Sequence, residues 1–278
     1  MNEDSSSMPP PPWWNSREAR REARHAAREE RRRLRDEAHE AAGATRSDAP
    51  PRDPITPEKL ADAAVRVIDA EGLDGLTVRR LAQELGIGTM TLYWYVQNKD
   101  EILDLVGDRL LAAAAFPSLE QDWQVSVRQG AAAVRGALLS HANAVPVMIG
   151  RRSLGPNGLR LTEQTLGVFR AAGLDANDAA DAYFTFLTYV TGFCVQQTSS
   201  VSLPNVSDAD MGTYAQMIGQ YIQTLPPERY PNLRAAAHRV FTAGPDERFA
   251  FGVECLIAGL EARLAAVKAA AHTEGSTS

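Results

Sequence analysis

A short segment of this chain combines three aromatic rings, two threonine hydroxyls and one methionine thioether within seven residues. The residues with these groups are Thr89, Met90, Thr91, Tyr93, Trp94 and Tyr95. Hydroxyl groups can bond phosphate oxygens, and apolar side chains can contact the methyl groups of bases. Exposing three aromatic rings to water is unfavourable, so we expect a partner surface to cover this segment.

These residues lie on the second of two short helical patterns that are separated by a glycine turn. Thr77 opens the first pattern, residues 86–88 break it, and Thr89 opens the second, which extends through Val96. Glycine supplies the positive φ that such a turn requires. The apolar positions expected to hold the two helices at a fixed angle are Leu81, Leu85, Ile87, Leu92 and Val96. The pattern is typical of a helix-turn-helix, whose second helix enters the major groove of DNA.

Neighbouring patterns predict the rest of a small helical domain. Thr56, Pro57 and Glu58 form a helix start, because they combine a hydroxyl N-cap, a first-turn proline and a carboxylate near the positive end of the helix dipole. We expect this helix to end at Gly72 and a further helix to be capped by Asn98.

The carboxyl-terminal two-thirds of the chain also has helical periodicity. Apolar stripes run along residues 123–138 and 249–267, and residues 179–195 are apolar on nearly every side. Gly252 and Gly259 in the last stripe predict close approach of a neighbouring helix. The sequence shows neither an alternating strand pattern nor an internal repeat. The predicted fold class is therefore all-α.

Composition restricts the classes of function. The 278 residues are 44% hydrophobic and 23% charged, as in a soluble globular protein. The two cysteines, Cys194 and Cys255, exclude a disulfide scaffold and a Cys-rich zinc site, favour a cytoplasmic location, and fit small core residues better than redox sensors. No secretory signal or membrane-spanning stretch is evident. The histidines lack metal-site spacing and the common catalytic motifs are missing, so we expect no metal, no cofactor and no enzymatic activity.

The net charge of −6 hides an uneven distribution. Residues 17–35 carry nine arginines against four glutamates, residues 79–99 carry three basic residues against one glutamate, and the chain beyond residue 99 is acidic. A protein with one DNA-facing end shows such asymmetry. Residues 1–54 are rich in proline and arginine without an apolar face, so we expect a disordered or partly helical arm. This arm is either a solvated segment or a salt-sensitive clamp on DNA.

Two sequence stretches carry a family resemblance. They are Leu-Ala-Gln-Glu-Leu-Gly at residues 81–86 and Thr-Leu-Tyr-Trp-Tyr-Val-Gln-Asn-Lys at residues 91–99. On these motifs, residues 55–105 resemble the DNA-binding domain of the TetR family of bacterial repressors. Matches toward the tetracycline repressor branch continue at residues 137–141, 149–151 and 249–261.

The resemblance implies a domain organisation and a mode of assembly. It places a helix-turn-helix DNA-binding domain at residues 55–101, an effector-binding and dimerisation domain at residues 102–270 and a disordered tail at residues 271–278. It also implies a homodimer in which residues 179–197 and 246–268 pair with those of a second copy as a four-helix bundle. This symmetry would place two recognition helices on a pseudo-palindromic operator.

The same resemblance implies individual roles in binding double-stranded DNA. Arg79 would reach a guanine edge, where a bidentate contact discriminates by about 1–3 kcal/mol. Thr89, Met90 and Tyr93 would face bases. The residues implied to bind phosphates are Thr77, Thr91, Trp94, Tyr95 and Lys99. Met90 and Tyr95 stand where the tetracycline repressor has proline and histidine, which predicts a different operator sequence.

The same residue types are also compatible with purely structural roles. Tyr93 and Trp94 fit core aromatics as well as phosphate contacts, and Arg79 fits a solvated charge at a helix start. A helical small-molecule carrier without specific DNA binding is the alternative for the whole chain.

The ligand site departs from the family pattern. The tetracycline repressor holds its drug through a magnesium ion, and the positions of its histidine ligand and nearby acid are Met148 and Gln196 here. A second drug-contacting histidine falls on Ala114 and an asparagine on Gly130. These four residues cannot replace a hard-cation site built from imidazole, carboxylate and water. We therefore expect the chain not to sense magnesium-tetracycline.

The predicted effector is instead an apolar or polyketide-like small molecule that binds between Trp123 and Gln196 and releases the repressor from its operator. The expected apolar lining is Val134, Leu138, Met148, Phe186 and Tyr189. Gln196 and Arg151 are the expected polar anchors. From the residues alone, the apolar members of this set are equally compatible with an ordinary core.

Overall fold

The computed structural model of the chain describes residues 55–115, 122–151, 153–199 and 208–275. Every element in these ranges is helical, which confirms the predicted all-α class. The α-helices are α1 Pro57–Gly75, α2 Val78–Glu84, α3 Thr89–Leu92, α4 Lys99–Leu110, α5 Trp123–Leu139, α6 Pro156–Ala172, α7 Ala176–Ser199, α8 Asp208–Gln223, α9 Pro231–Thr242 and α10 Pro245–Gly275. A 3-10 helix, Ala142–Met148, lies between α5 and α6. The predicted arm at residues 1–54 lies outside the described residues.

The three helix starts predicted from capping residues are present. The Thr56 hydroxyl accepts a hydrogen bond from the Lys59 backbone N–H at 3.2 Å. The Thr77 hydroxyl accepts one from the Arg80 N–H at 3.1 Å, and the Asn98 side-chain Oδ1 accepts one from the Glu101 N–H at 2.9 Å. Each cap satisfies a backbone donor that the helix itself leaves free.

Glycines shape two breaks in the amino-terminal domain. Gly72 has a φ of +76°, so the helical backbone is interrupted there as expected, although α1 continues to Gly75. Gly86, with a φ of +63°, makes the turn between α2 and α3. The α-helical part of α3 is shorter than predicted, because turns and not α-helix connect Leu92 to Val96.

The apolar faces of α1 to α4 form the core of the amino-terminal domain. Leu81, Leu92 and Val96 are buried, and Leu85 and Ile87 pack against them half-buried. The predicted contacts between the two short helices are therefore confirmed. This leaves the other side of α3 facing outward.

The remaining helices form a second body that shares one continuous core with the first. Helix α7 packs against α5, α6 and α10, and the 3-10 helix packs against α1 and α4 at the junction between the two parts. Helices α8 and α9 pair with each other, with Ile222 and Ala237 buried.

Helix α10 continues to Gly275, past residue 271 where a tail was predicted to begin. Within the described ranges, no helix is both long and apolar enough to cross a membrane.

Candidate nucleic-acid interface and ligand cavity

The outward side of the α3 segment carries large apolar and aromatic side chains in contact with solvent. Met90 is 76% exposed, Tyr93 45% and Trp94 39%, and Tyr95 and Thr89 are exposed as well. In contrast, Leu92 between them is fully buried. This exposure argues against the interpretation of Tyr93 and Trp94 as core aromatics, and it leaves a patch that needs a partner.

Two adjacent arginines at the start of α2 have different surroundings. Arg80 donates hydrogen bonds to Glu71 at 2.6 Å and to Glu84 at 3.1 Å. These carboxylates raise the pKa of the Arg80 guanidinium, with the bond to Glu71 the larger cause. Arg79 is exposed and has no ion-pair partner among the residues that the structure describes. Arg80 therefore serves the fold, whereas Arg79 is available to a ligand.

The residues implied to bind phosphates lie around the same surface and differ in exposure and in the contacts they already make. Thr77 is exposed, but its hydroxyl already caps α2. Thr91 is half-buried on α3. Lys99 is exposed at the first residue of α4, so its ammonium group can approach an anion.

A cavity of about 450 Å³ lies in the second body, between α5, α6, α7 and α10. Its apolar residues are Val127, Phe169, Leu174, Ala182, Phe186, Leu256 and Leu260, and its other lining residues are Asp178, Asp181, Thr185, Cys255, Gly259 and Arg263. The Phe169 and Phe186 rings meet edge to face, with centroids 6.4 Å apart. This volume falls in the range of small-molecule sites.

One rim of the cavity is charged. Arg263 on α10 donates to both carboxylate oxygens of Asp178 on α7, at 2.8 and 3.2 Å, and this contact lowers the pKa of Asp178. Asp181, one turn further along α7, is exposed. The cavity thus pairs an apolar floor with a polar mouth. The sequence offered no sign of this rim, because its two sides are separated by 85 residues.

Of the eight residues predicted to contact an effector, Phe186 is the one that lines this cavity within the described part of the chain. Val134 and Leu138 are fully buried in the common core. Trp123 is half-buried one helical turn before the lining residue Val127. Met148 is half-buried and packs against the core near Gly107 on α4.

Two residues predicted to contact the effector, Arg151 and Tyr189, make contacts within the protein. Arg151 donates to the carboxylates of Asp100 at 2.6 Å and Asp104 at 2.8 Å on α4. Tyr189 donates to the Phe249 carbonyl at 2.8 Å and stacks on the Phe249 ring.

The remaining predicted anchor, Gln196, is exposed on α7 and does not line the cavity. Neither of the two predicted polar anchors is among the residues that line the cavity in the described part of the chain. Burial raises the pKa of Tyr189, whose hydroxyl is part of the packing between α7 and α10.

The residues do not fit a magnesium site like that of the tetracycline repressor. Met148 offers a thioether and Gln196 an exposed amide, whereas Mg²⁺ prefers an octahedral shell of oxygen ligands. Across the described ranges, no group of three or more His, Cys, Asp or Glu residues is arranged to hold a metal ion.

The outer faces of α7 and α10 carry a second exposed apolar patch. Phe184 on α7 is 65% exposed and Phe251 on α10 is 67% exposed. Five small exposed residues lie at helical spacing from them: Ala180, Thr188 and Gly192 on α7, and Ala258 and Ala262 on α10. We refer to these seven residues as the bundle face.

The two glycines predicted to allow close helix approach differ in outcome. A Cβ at Gly252 would lie 2.1 Å from the Tyr189 hydroxyl oxygen, so the packing of α7 on α10 requires glycine there. A Cβ at Gly259 would meet no atom within 4 Å, because this glycine borders the cavity.

Two protein-family models match the chain. The model described as "Bacterial regulatory proteins, tetR family" matches residues 60–106. The model described as "Tetracyclin repressor-like, C-terminal domain" matches residues 116–264.

Individual proteins of known function are similar over most of their length. The HTH-type transcriptional repressor DrrR1 of Streptomyces coeruleorubidus is 31% identical over 221 residues, which is 77% of this chain and 80% of that protein. The tetracycline repressor protein class A from transposon 1721 of Escherichia coli is 29% identical over 217 residues, which is 77% of this chain and 94% of that protein. The crystal structure of the TetR family protein ActR of Streptomyces coelicolor in complex with actinorhodin has a TM-score of 0.69 and 35% sequence identity, covering 76% of this chain and 99% of that one.

Proposed function

Because this chain belongs to the TetR family of bacterial regulatory proteins, we propose that it acts as a homodimeric repressor that a small molecule releases from a pseudo-palindromic operator. As a member of that family it is a DNA-binding transcriptional regulator and not an enzyme. The observation that carries the proposal is the exposed face of α3, where Met90, Tyr93 and Trp94 project from a helix-turn-helix with a buried inner side.

On DNA, α3 lies in the major groove and α2 crosses the phosphate backbone. Arg79 binds a guanine edge, and Thr89, Met90 and Tyr93 contact bases, Met90 through thymine methyl groups. Phosphates are held, and the register is fixed, by Lys99, Trp94 and Tyr95 and by the hydroxyl groups of Thr77 and Thr91. In support, Arg79 and Lys99 are exposed, and Arg80 beside them neutralises the nearby carboxylates.

The partner proposed for the bundle face is a second copy of this chain. The two exposed phenylalanines and their small neighbours form an apolar surface on two adjacent helices, as a helix bundle requires. A two-fold axis through this face gives two recognition segments per molecule and therefore a palindromic operator.

The effector proposed for the cavity is a largely apolar ring system with a polar edge. The rings of Phe169 and Phe186 offer edge and face contacts to a planar molecule, and Asp178, Asp181 and Arg263 offer hydrogen bonds at the mouth. Actinorhodin, which is bound to the related ActR, is a suitable first probe. Magnesium-tetracycline is not expected to bind.

The DNA part of the proposal is tested by sequencing genomic fragments retained by the purified protein. We expect an enriched palindrome with half-sites about one helical turn apart. The double variant Arg79→Ala, Tyr93→Ala should show no enrichment while its circular dichroism spectrum and sedimentation are unchanged. If the wild-type protein, unfolded and refolded without small molecules, also enriches no sequence, the chain is a helical carrier and the proposal is wrong.

The effector site is tested by filling the cavity. Gly259→Leu adds a side chain where nothing lies within 4 Å of the new Cβ, so the helix should form and the cavity should shrink. We expect this variant to keep operator binding and dimerisation but to lose release by actinorhodin. Gly136→Leu is the matched control, because Gly136 on α5 also has open space around it, does not line the cavity and lies outside the bundle face. Equal release of both variants by actinorhodin would place the effector elsewhere.

A further inference from the structure

A buried carboxylate joins the DNA-binding domain to the second body. Asp108, near the end of α4, is 8% exposed. Its two oxygens accept hydrogen bonds from the Ser153 hydroxyl at 2.9 Å, the Asn157 side-chain amide at 2.9 Å and the Gly158 backbone N–H at 2.8 Å. The Asn157 backbone N–H lies further away, at 3.4 Å from the same carboxylate.

This carboxylate caps a helix of the other domain. Helix α6 begins with Gly155 as N-cap and Pro156 in the first turn, and no side chain of its own start caps it. The free N–H groups at a helix start carry partial positive charge, which a carboxylate stabilises. Asp108 therefore supplies from α4 the cap that the local sequence of α6 lacks.

Two glycines make room for this contact. A Cβ at Gly155 would lie 2.3 Å from the Asp108 carboxyl carbon, and a Cβ at Gly158 would lie 2.3 Å from the Ser153 carbonyl oxygen. A side chain at Gly155 would push α4 and the start of α6 apart, and one at Gly158 would displace the segment before α6 that carries Ser153. The close fit makes the position of α4 sensitive to any movement of α6.

Other polar contacts also cross this junction, and those of Arg151 and Asp69 are exposed. Arg151 binds Asp100 and Asp104, and Arg160 donates to the carbonyl of Ala114 at 2.9 Å, just after α4 ends. On α1, Asp69 binds His141 at 2.7 Å. Exposed ion pairs are screened by water and salt and contribute little rigidity. Of these polar contacts, the bond from the Gly158 backbone N–H to Asp108 is buried.

Helix α6 also connects this contact to the cavity. Asn157 and Gly158 in its first turn bind Asp108, and Phe169 near its other end lines the cavity. These points are about 17 Å apart along the helix at 1.5 Å per residue. A ligand that shifts Phe169 can thus move the group that holds α4.

We infer that Asp108 is a positioning residue that fixes the orientation of the DNA-binding domain on the second body, and so determines which half-site spacing the protein accepts. The inference rests on the proposed homodimeric repressor, because spacing has a meaning only for two linked recognition segments. With the cap intact, the two α3 segments are held at one separation. With the cap weakened, each domain tilts more freely and several spacings fit.

The test uses the full-length protein and the operator selected from genomic DNA. Synthetic operators carry the half-sites at the natural spacing and at one base pair shorter, one longer and two longer. Fluorescence anisotropy gives the Kd for each. For wild type, we expect at least a tenfold preference for the natural spacing.

For Asp108→Asn, we expect this preference to fall below threefold, because an amide faces three donors with only one acceptor oxygen. The matched control is Asp104→Asn, which weakens an exposed contact on the same helix and should keep the wild-type preference. An unchanged spacing preference in Asp108→Asn would overturn the inference.

A second variant tests the inference if Asp108→Asn does not fold. If Asp108→Asn lacks a cooperative thermal transition, the double variant Ser153→Ala, Asn157→Ala removes two donors and leaves the Gly158 N–H to the carboxylate. It should relax spacing in the same way, and an unchanged preference there would overturn the inference. Failure of the proposed function is a distinct result: wild type would then sediment as a monomer or bind a single half-site as tightly as the palindrome.

Discussion

The two halves of this molecule present their functional side chains in opposite ways. In the amino-terminal domain, Met90 and Tyr93 are exposed while Leu92 between them is buried, all within one helical segment. In the second body, the cavity is assembled from four helices, and Phe186 shares it with residues such as Val127 and Arg263 that are far away in sequence. The surface proposed to read DNA is thus formed by neighbouring residues of the chain, whereas the cavity is formed by the packing of distant segments.

The difference extends to the charged residues. Arg79 and Arg80 are neighbours on α2, but their side chains point in different directions. Arg80 binds Glu71 and Glu84, whereas Arg79 is exposed. In the second body, Arg151 was expected at the ligand and is held by Asp100 and Asp104 instead. Local helical geometry separates the roles in the first case. Only the tertiary structure does so in the second.

The largest expected effect tests whether operator binding by the amino-terminal domain requires dimerisation through the second body. Phe184→Glu combined with Phe251→Glu puts four charges into the symmetric bundle face. We expect a monomer by sedimentation equilibrium and at least about 100-fold weaker operator binding, since one half-site alone then holds the protein. Val125→Glu, on the exposed side of α5, is the control and should stay dimeric. A double variant that is still a dimer at micromolar concentration would exclude this face as the interface.

The next effect separates reading DNA from folding within α2. Arg79→Ala should weaken operator binding by roughly 1–3 kcal/mol, or about 5- to 150-fold, with an unchanged melting temperature. Arg80→Ala should instead lower the melting temperature, because Glu71 and Glu84 lose their partner. Anisotropy and differential scanning calorimetry on the pair measure both quantities. Equal changes in melting temperature for the two variants would contradict the division of roles.

A smaller effect is expected on the reactivity of Cys255, the cysteine that lines the cavity. Burial raises the pKa of Cys194 to about 11, so only about 0.1% of it is thiolate at pH 8. Cys255 is exposed and lines the cavity. Ellman's reagent at pH 8 should therefore modify one thiol per chain, and saturating actinorhodin should slow that reaction. Cys255→Ser is the control and should show no reaction before denaturation; rapid modification of Cys194 in the folded protein would contradict the burial of that thiol.

The smallest effect concerns the pH dependence of the amino-terminal domain. Hydrogen bonds from Arg66, and secondarily from Arg80, hold the pKa of Glu84 below its usual range. The folded-state pKa is lowered, so Glu84 stabilises the fold above the ordinary carboxyl pKa of about 4.3, and this contribution is lost as the pH falls through the folded-state value. Glu84→Gln should melt lower than wild type at pH 7, and the two melting temperatures should converge toward pH 3. A constant difference across that range would show that Glu84 acts by shape and not by charge.

The sequence predicted those features that depend on neighbouring residues. Thr56, Thr77 and Asn98 cap the helices they were expected to cap, since each cap requires only a polar side chain three residues before a free N–H. The burial of Leu92 amid exposed neighbours likewise follows from helical spacing.

Features that depend on distant partners could not be predicted in this way. The partner of Arg151 lies about 50 residues earlier, and that of Arg263 lies 85 residues earlier. An apolar residue on a buried helix, such as Val134, has the same sequence pattern whether it faces a cavity or a filled core. The residue type alone therefore cannot show whether the side chain lines a cavity or lies in a filled core.

In the proposed function, the separation between the buried and exposed sides of α3 also means that its DNA preference can change without a change in the fold. Leu92 and Val96 anchor the segment from within, while Thr89, Met90 and Tyr93 point away from the core. Exchanging these outward side chains changes what is read without disturbing what is packed. Substitutions on the exposed side of this segment can therefore give the same ligand-binding body a different operator, and so different target genes.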